Sequence, residues 1–295
     1  MALGTKTRFP SFQGPTEAVV PTPTFSGRAT SDPADSINPY TMAGPGAGGT
    51  GRTHNQIYEI APVDPLISSV ELLLPFDGTN DTSVATDLSG NSRTMTVAGH
   101  QLNTTDKKYG TASMEFLGAN TSQFVNTPNS ADFNLTGDWT IEYWFKNISG
   151  GVFLGGGLQG IFWVGAPTLG NGFMLAKTSG GQMRMYMGSN GTLPWNIFSN
   201  FAPTGVANLS QSVFEHWAFV KSGLDFKLFR DGVSVYSTTM SAHAINNVTG
   251  GSTLDIGKAG NIFACRGLMD DFRFTVGQAR YSSDFTPPTE SFPTP

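Results

Sequence analysis

Carboxyl and imidazole groups are where catalysis would have to begin. Glycoside hydrolysis needs two carboxyl groups about 5–10 Å apart. On a β-strand, residues i and i+2 share a face, so Glu-x-Asp or Glu-x-x-x-Glu would bring such a pair together. Glu142 instead stands alone in Trp139-Thr140-Ile141-Glu142-Tyr143-Trp144, and strict alternation sends Asp270 and Asp271 to opposite faces. His54, His100, His216 and His243 lie in unrelated contexts, with no His-x-x-x-His and no serine–histidine–aspartate pattern. The glycine-rich stretch 43–51 lacks the Lys-Ser/Thr of a phosphate loop. The expectation is a protein that is not an enzyme.

Sugar binding asks for less: an aromatic ring with amide or carboxylate neighbours on a loop. Pro194-Trp195-Asn196 reads as such a loop. Trp195 is the first carbohydrate-binding candidate, with Asn196 beside it and Trp163 second. The alternative for Trp195 is a ring that covers an edge of the core, since tryptophan buries a large apolar area.

Composition narrows the scaffold that holds these residues. The chain has 295 residues, 12% of them aromatic, including 22 Phe, so apolar surface for a core is ample. Charged residues make up 13%, against about 25% in ordinary soluble domains. The polar surface therefore falls to Asn, Ser, Thr and Gly, and helix-favouring Lys and Glu are scarce. A net charge of -5 argues against a nucleic-acid partner, which requires a basic face. The single cysteine, Cys265, leaves no intrachain disulfide and no cysteine-cluster zinc site, and reads as a small buried hydrophobe. No apolar run approaches the roughly 18 residues of a membrane span, and Met1–Pro15 carries no apolar h-region. The expectations are synthesis in a cytoplasm, no signal peptide and no membrane insertion.

Along the chain, residues 1–65 stand apart. They hold nine of the 18 prolines and the run Ala43-Gly44-Pro45-Gly46-Ala47-Gly48-Gly49. Proline removes a donor and glycine raises the cost of ordering, so neither helix nor paired strand is favoured. Two readings stand: a disordered linker, or an extended arm that orders against another protein. Phe9, Phe12, Phe25, Tyr40 and Tyr58 favour the arm, because each could anchor an extended strand in a partner's pocket.

From residue 66 the texture changes to short β-type runs between turns. They are 69–76, 111–117, 139–146, 160–164, 182–187, 216–221, 225–230, 233–236, 253–257 and 269–274. With weaker candidates this makes about a dozen strands and no helical period, the pattern of a sandwich or barrel. Within 111–117, Ala112, Met114 and Phe116 share one face. Asp231-Gly232 between apolar runs predicts a two-residue hairpin turn over 224–236.

The order of these pieces resembles the laminin-G-like/concanavalin-A-like jelly-roll superfamily over residues 66–293. The pieces are Leu72-Leu73-Leu74-Pro75-Phe76-Asp77-Gly78, Gly137-Asp138-Trp139-Thr140-Ile141-Glu142-Tyr143-Trp144, and His216-Trp217-Ala218-Phe219-Val220 before the Asp231-Gly232 hairpin. Gly267-Leu268-Met269-Asp270-Asp271-Phe272-Arg273-Phe274 closes the series. The resemblance implies an antiparallel jelly-roll β-sandwich at 66–295, preceded by the arm at 1–65. It implies structural roles for Trp144 and Trp217, filling or flanking the core, and for Asp270 as an acceptor of backbone N–H groups. Many such domains hold calcium, which takes six to eight oxygens; Asp77, Asp81 and Asp87 could contribute some. No other cofactor is expected. The tail from Thr275 through Pro288 looks like the ending of such domains in tailed-bacteriophage structural proteins. That likeness implies a virion component, on head or tail and in multiple copies, docked on other virion proteins through the arm. The rival reading is an adhesion module that binds cell-surface glycans.

Overall fold

The structure, a computed structural model, describes residues 64–295 apart from 121, 129, 154–156, 167–170, 190–194, 241–244, 246–252 and 260–262. Alternation organises it. In β6 (Trp139–Asn147), Trp139, Ile141, Tyr143 and Phe145 enter the main core, while Thr140, Glu142 and Trp144 occupy the opposite face.

Two antiparallel sheets stack on that core. One runs β13 (Val233–Thr239), β12 (Asp225–Arg230), β11 (Glu215–Ser222), β6, β17 (Arg266–Val276), β4 (Ser113–Leu117) and β3 (Gln101–Asn103). β17 is long enough to take β4 along Arg266–Met269 and β1 (Val70–Leu74) along Phe272–Thr275, which makes this sheet eight-stranded. The other, seven-stranded, runs β10 (Phe198–Phe201), β9 (Met183–Ser189), β8 (Asn171–Thr178), β7 (Leu158–Ala166), β14 (Thr253–Ile256), β5 (Phe124–Pro128) and β2 (Thr96–Ala98). A small hairpin, β15 (Lys258–Ala259) with β16 (Phe263–Ala264), completes the strands among the described residues.

The fold is an all-β, antiparallel jelly-roll sandwich. Among the described residues its helical turns are two short 3-10 segments, and no helix is long and apolar enough to cross a membrane. Every β-run named from the sequence is a strand here. The short strands β2, β3, β5, β10, β15 and β16 show no period because runs of two to five residues carry too few alternations, and β8 shows none because it is buried on both faces.

The core is aromatic. Tyr143 stacks on Phe219 and Phe272 of its own sheet and meets Phe162 of the other edge-on, with ring centroids 6.1–6.2 Å apart. Ala112, Met114, Phe116 and Trp217 are fully buried, as is Cys265, whose thiol burial pushes up to about 11.

The predicted hairpin forms between β12 and β13. Asp231 and Gly232 both take positive φ, 49° and 77°, the geometry that matches the strand twist. Gly232 also has no room for a side chain: the carbonyl oxygen of Phe285 occupies the place of a Cβ, and the Phe285 N–H donates to the Gly232 carbonyl at 2.9 Å. Gly232→Ala is therefore expected to cost more than the ~1–2 kcal/mol of a left-handed alanine. Thermal unfolding reads the loss; an unchanged melting temperature would contradict the close approach.

The outer face of the eight-stranded sheet is covered. Ala279, Tyr281 and Phe285 pack on Ala218, Val220 and Phe229, and Phe292 packs on Val70 and Leu73. The chain thus folds its own C-terminal segment back as a strap.

Candidate functional site

The outer face of the seven-stranded sheet carries a pair of half-exposed aromatic rings. In Met183-Arg184-Met185-Tyr186-Met187 the three methionines enter the core, which turns Arg184 and Tyr186 outward together. The register then sets Trp163, Met174 and Tyr186 side by side across β7, β8 and β9. Trp195 lies on this row. Its ring meets Trp163 edge-on at 5.2 Å and Tyr186 at 6.2 Å, and stays half-buried. Asn196 and Asn200 are exposed beside it. The Asn196 amide is held in place by Ser189, accepting from its N–H at 2.8 Å and donating to its hydroxyl at 3.2 Å. The Tyr186 hydroxyl donates to Asn200 Oδ1 at 2.9 Å. Two half-exposed rings with oriented amides can stack on a pyranose face and bond its hydroxyls.

Of the sequence candidates, Trp195 and Asn196 meet here. Trp163 does not serve as a second sugar contact. It is 1% exposed and its indole N–H donates to the Gly165 carbonyl at 2.6 Å, so it is the floor on which Trp195 rests. Tyr186, Arg184 and Asn200 were missed, although the Met-x-Met-x-Met alternation would have shown the first two sharing an outer face. Phe9, Phe12, Phe25, Tyr40 and Tyr58 lie outside the described residues.

Asp77, Asp81 and Asp87 do not converge as calcium ligands. Asp87 is buried and its two oxygens accept from Leu73, Ser89 and Arg93 N–H groups at 2.8–3.0 Å and from the Ser89 hydroxyl at 2.9 Å. Asp77 accepts from the Thr111 N–H and hydroxyl. Among the described residues, no three His, Cys, Asp or Glu side chains are grouped to hold a metal ion.

Glu142, alone in its strand, is not alone in space. It is fully buried beneath the strap, bonded to Arg273 at 2.8–2.9 Å and to the Tyr281 hydroxyl at 2.7 Å, with His216 Nε2 at 3.2 Å. Arg273 and Arg280 both also bind Asp64, at 2.9–3.0 Å. Burial alone would raise the Glu142 pKa, but Arg273, with His216 and Arg280, outweighs it and holds the carboxyl down to about 2. Asp64 shows that the folded unit extends upstream of Leu66, through an ion pair no local pattern reveals.

Asp270 and Asp271 correct the alternation argument. A bulge between Asp270 and Arg273 sets two residues of β17 opposite Tyr143, with Asp271 at φ 47°. Met269, Phe272 and Phe274 thereby all reach the core, and both aspartates face the segments lying over the sheet. Asp270 accepts from the Lys108, Tyr109 and Asp271 N–H groups at 2.7–3.0 Å, as the resemblance implied, and Asp271 accepts from the Phe292 N–H at 3.3 Å. Burial raises both carboxyls, Asp270 to about 7 and, with Asp270's charge added, Asp271 to about 8.

The family model of the concanavalin A-like lectin/glucanases superfamily matches residues 119–277, more than half of the chain. The chain belongs to that superfamily. As a concanavalin A-like domain it is similar in fold to the binding domain of Paraclostridial Mosquitocidal Protein 1, at TM-score 0.55 and 15% identity, over 73% of this chain and 50% of that one. It is also similar to the botulinum neurotoxin serotype D binding domain, at TM-score 0.51 and 15% identity, over 75% of this chain and 49% of that one. The concanavalin A-like chain spans about half the length of these two structures. No curated protein matches it in sequence.

Proposed function

We propose that this domain binds glycans, without transforming them, through the face centred on Trp195. The observation that carries the reading is the half-exposed Trp195 ring, seated on Trp163 and Tyr186 and flanked by Asn196 and Asn200. The superfamily's description as lectins and glucanases supports the glycan binding, as does the naming of both similar structures as binding domains. The likeness of residues 275–288 to tailed-phage domains supports a place on a virion, docked through residues 1–65, where such a face would meet host-surface sugars.

On a broad glycan array the full chain is expected to bind, and Trp195→Ala to bind nothing. Because the ring also covers Trp163, that variant should lose about 1–2 kcal/mol of stability while still unfolding cooperatively. Asn196→Ala, which also removes the two bonds to Ser189, should weaken binding with at most a small fall in melting temperature. A wild-type chain that captures no glycan would end this reading.

A further inference from the structure

We infer that the ligand of the Trp195 face is an anionic glycan, a sugar bearing a carboxylate or sulfate group, and that Arg184 selects it. The inference rests on the glycan-binding reading and adds the ligand's charge. Arg184 is half-exposed, two residues from Tyr186 on the same side of β9, and close enough that its charge acts on the Tyr186 hydroxyl. It stands opposite Ala176, a short side chain in the cluster against which Trp195 and Tyr186 pack, which puts Arg184 in the strand row next to that of the aromatic pair.

Its bonding is incomplete. Among the described residues its guanidinium donates one long hydrogen bond, 3.4 Å, to the carbonyl of its own neighbour Met183. Among the described residues no carboxylate pairs with it or with Arg266, whereas Arg93, Arg230, Arg273 and Arg280 each hold at least one; Arg184 is the one of the two that lies on the face of Tyr186. A guanidinium offers a planar fork of donors that matches carboxylate and sulfate oxygens two at a time. In a chain of net charge -5, a general attraction for polyanions is weak, so selection of an anionic sugar has to come from a placed cation. Arg184 is such a cation, and the neighbouring rings and amides supply contacts to the rest of the sugar.

Matched probes test this: sialyllactose and 3′-sulfolactose, each against lactose, measured by calorimetry on the full chain at low and at physiological salt. The acidic sugars should bind roughly ten- to hundredfold tighter than lactose, and the carboxylate and sulfate arms show which anion fits better. In Arg184→Gln the acidic probes should fall to the level of lactose with the melting temperature unchanged, and Arg184→Lys should recover part of the preference. Equal binding of lactose and its acidic forms, or an unaltered preference in Arg184→Gln, overturns the anionic assignment and leaves glycan binding standing. Binding of none of the three, together with an empty broad array, overturns both.

Discussion

Glu142→Ala should destabilise the domain by about 3–5 kcal/mol. The substitution leaves the Arg273 guanidinium, itself 5% exposed, with only Asp64, which it shares with Arg280, to offset its desolvation, and removes the acceptor of the Tyr281 hydroxyl. Stripping one member from a buried ion pair costs far more than the intact pair contributes, because an isolated charge must remain out of water. Replacing Glu142 and Arg273 together with apolar residues should therefore recover much of the loss. Acid should expose the same dependence. The folded pKa of Glu142, about 2, lies below its ordinary value of 4.5, so the folded state holds fewer protons than the unfolded chain. Its stabilisation is present above pH 4.5 and disappears as the pH falls towards 2. Denaturant unfolding at several pH values measures both effects. A loss under about 1 kcal/mol, set against that expectation, would mean that Arg273 finds another partner or water.

Ending the chain after Gly277 should abolish cooperative folding. The deleted strap supplies Tyr281, Phe285 and Phe292, which cover Ala218, Val220, Phe229, Val70 and Leu73, and Arg280, which binds Asp64. Burying a large side chain is worth roughly 1.5–3 kcal/mol, so three partly to fully buried rings amount to on the order of 5 kcal/mol. That is comparable to the roughly 5–15 kcal/mol that holds a whole domain together. Starting the chain at Leu66 should weaken the same region from the other end, since Arg273 and Arg280 then lose Asp64. Limited proteolysis and circular dichroism distinguish the outcomes. A truncated chain that melts sharply at the full-length temperature would show that the strap is ornamental.

Local features were legible wherever a short-range rule suffices. Alternation in Trp139–Phe145 and Thr111–Leu117 identified core strands, because a strand buried on one face repeats every two residues. Asp231-Gly232 identified the hairpin, because few other residue pairs tolerate two positive φ values. The order of such pieces pointed to the superfamily, and Trp195 with Asn196 to one edge of the candidate face.

What tertiary structure decided concerns residues far apart in the chain or a break in period. The bulge in β17 reversed the expected facing of Asp271, since one extra residue shifts a two-residue repeat by a whole face. Glu142 looked solitary because its partners Arg273, Arg280 and Tyr281 are more than 130 residues downstream, as the 131-residue separation to Arg273 shows. Trp163 and Trp195 were interchangeable as tryptophans. The edge-on packing of one against the other buried Trp163 and left the Trp195 ring half-exposed.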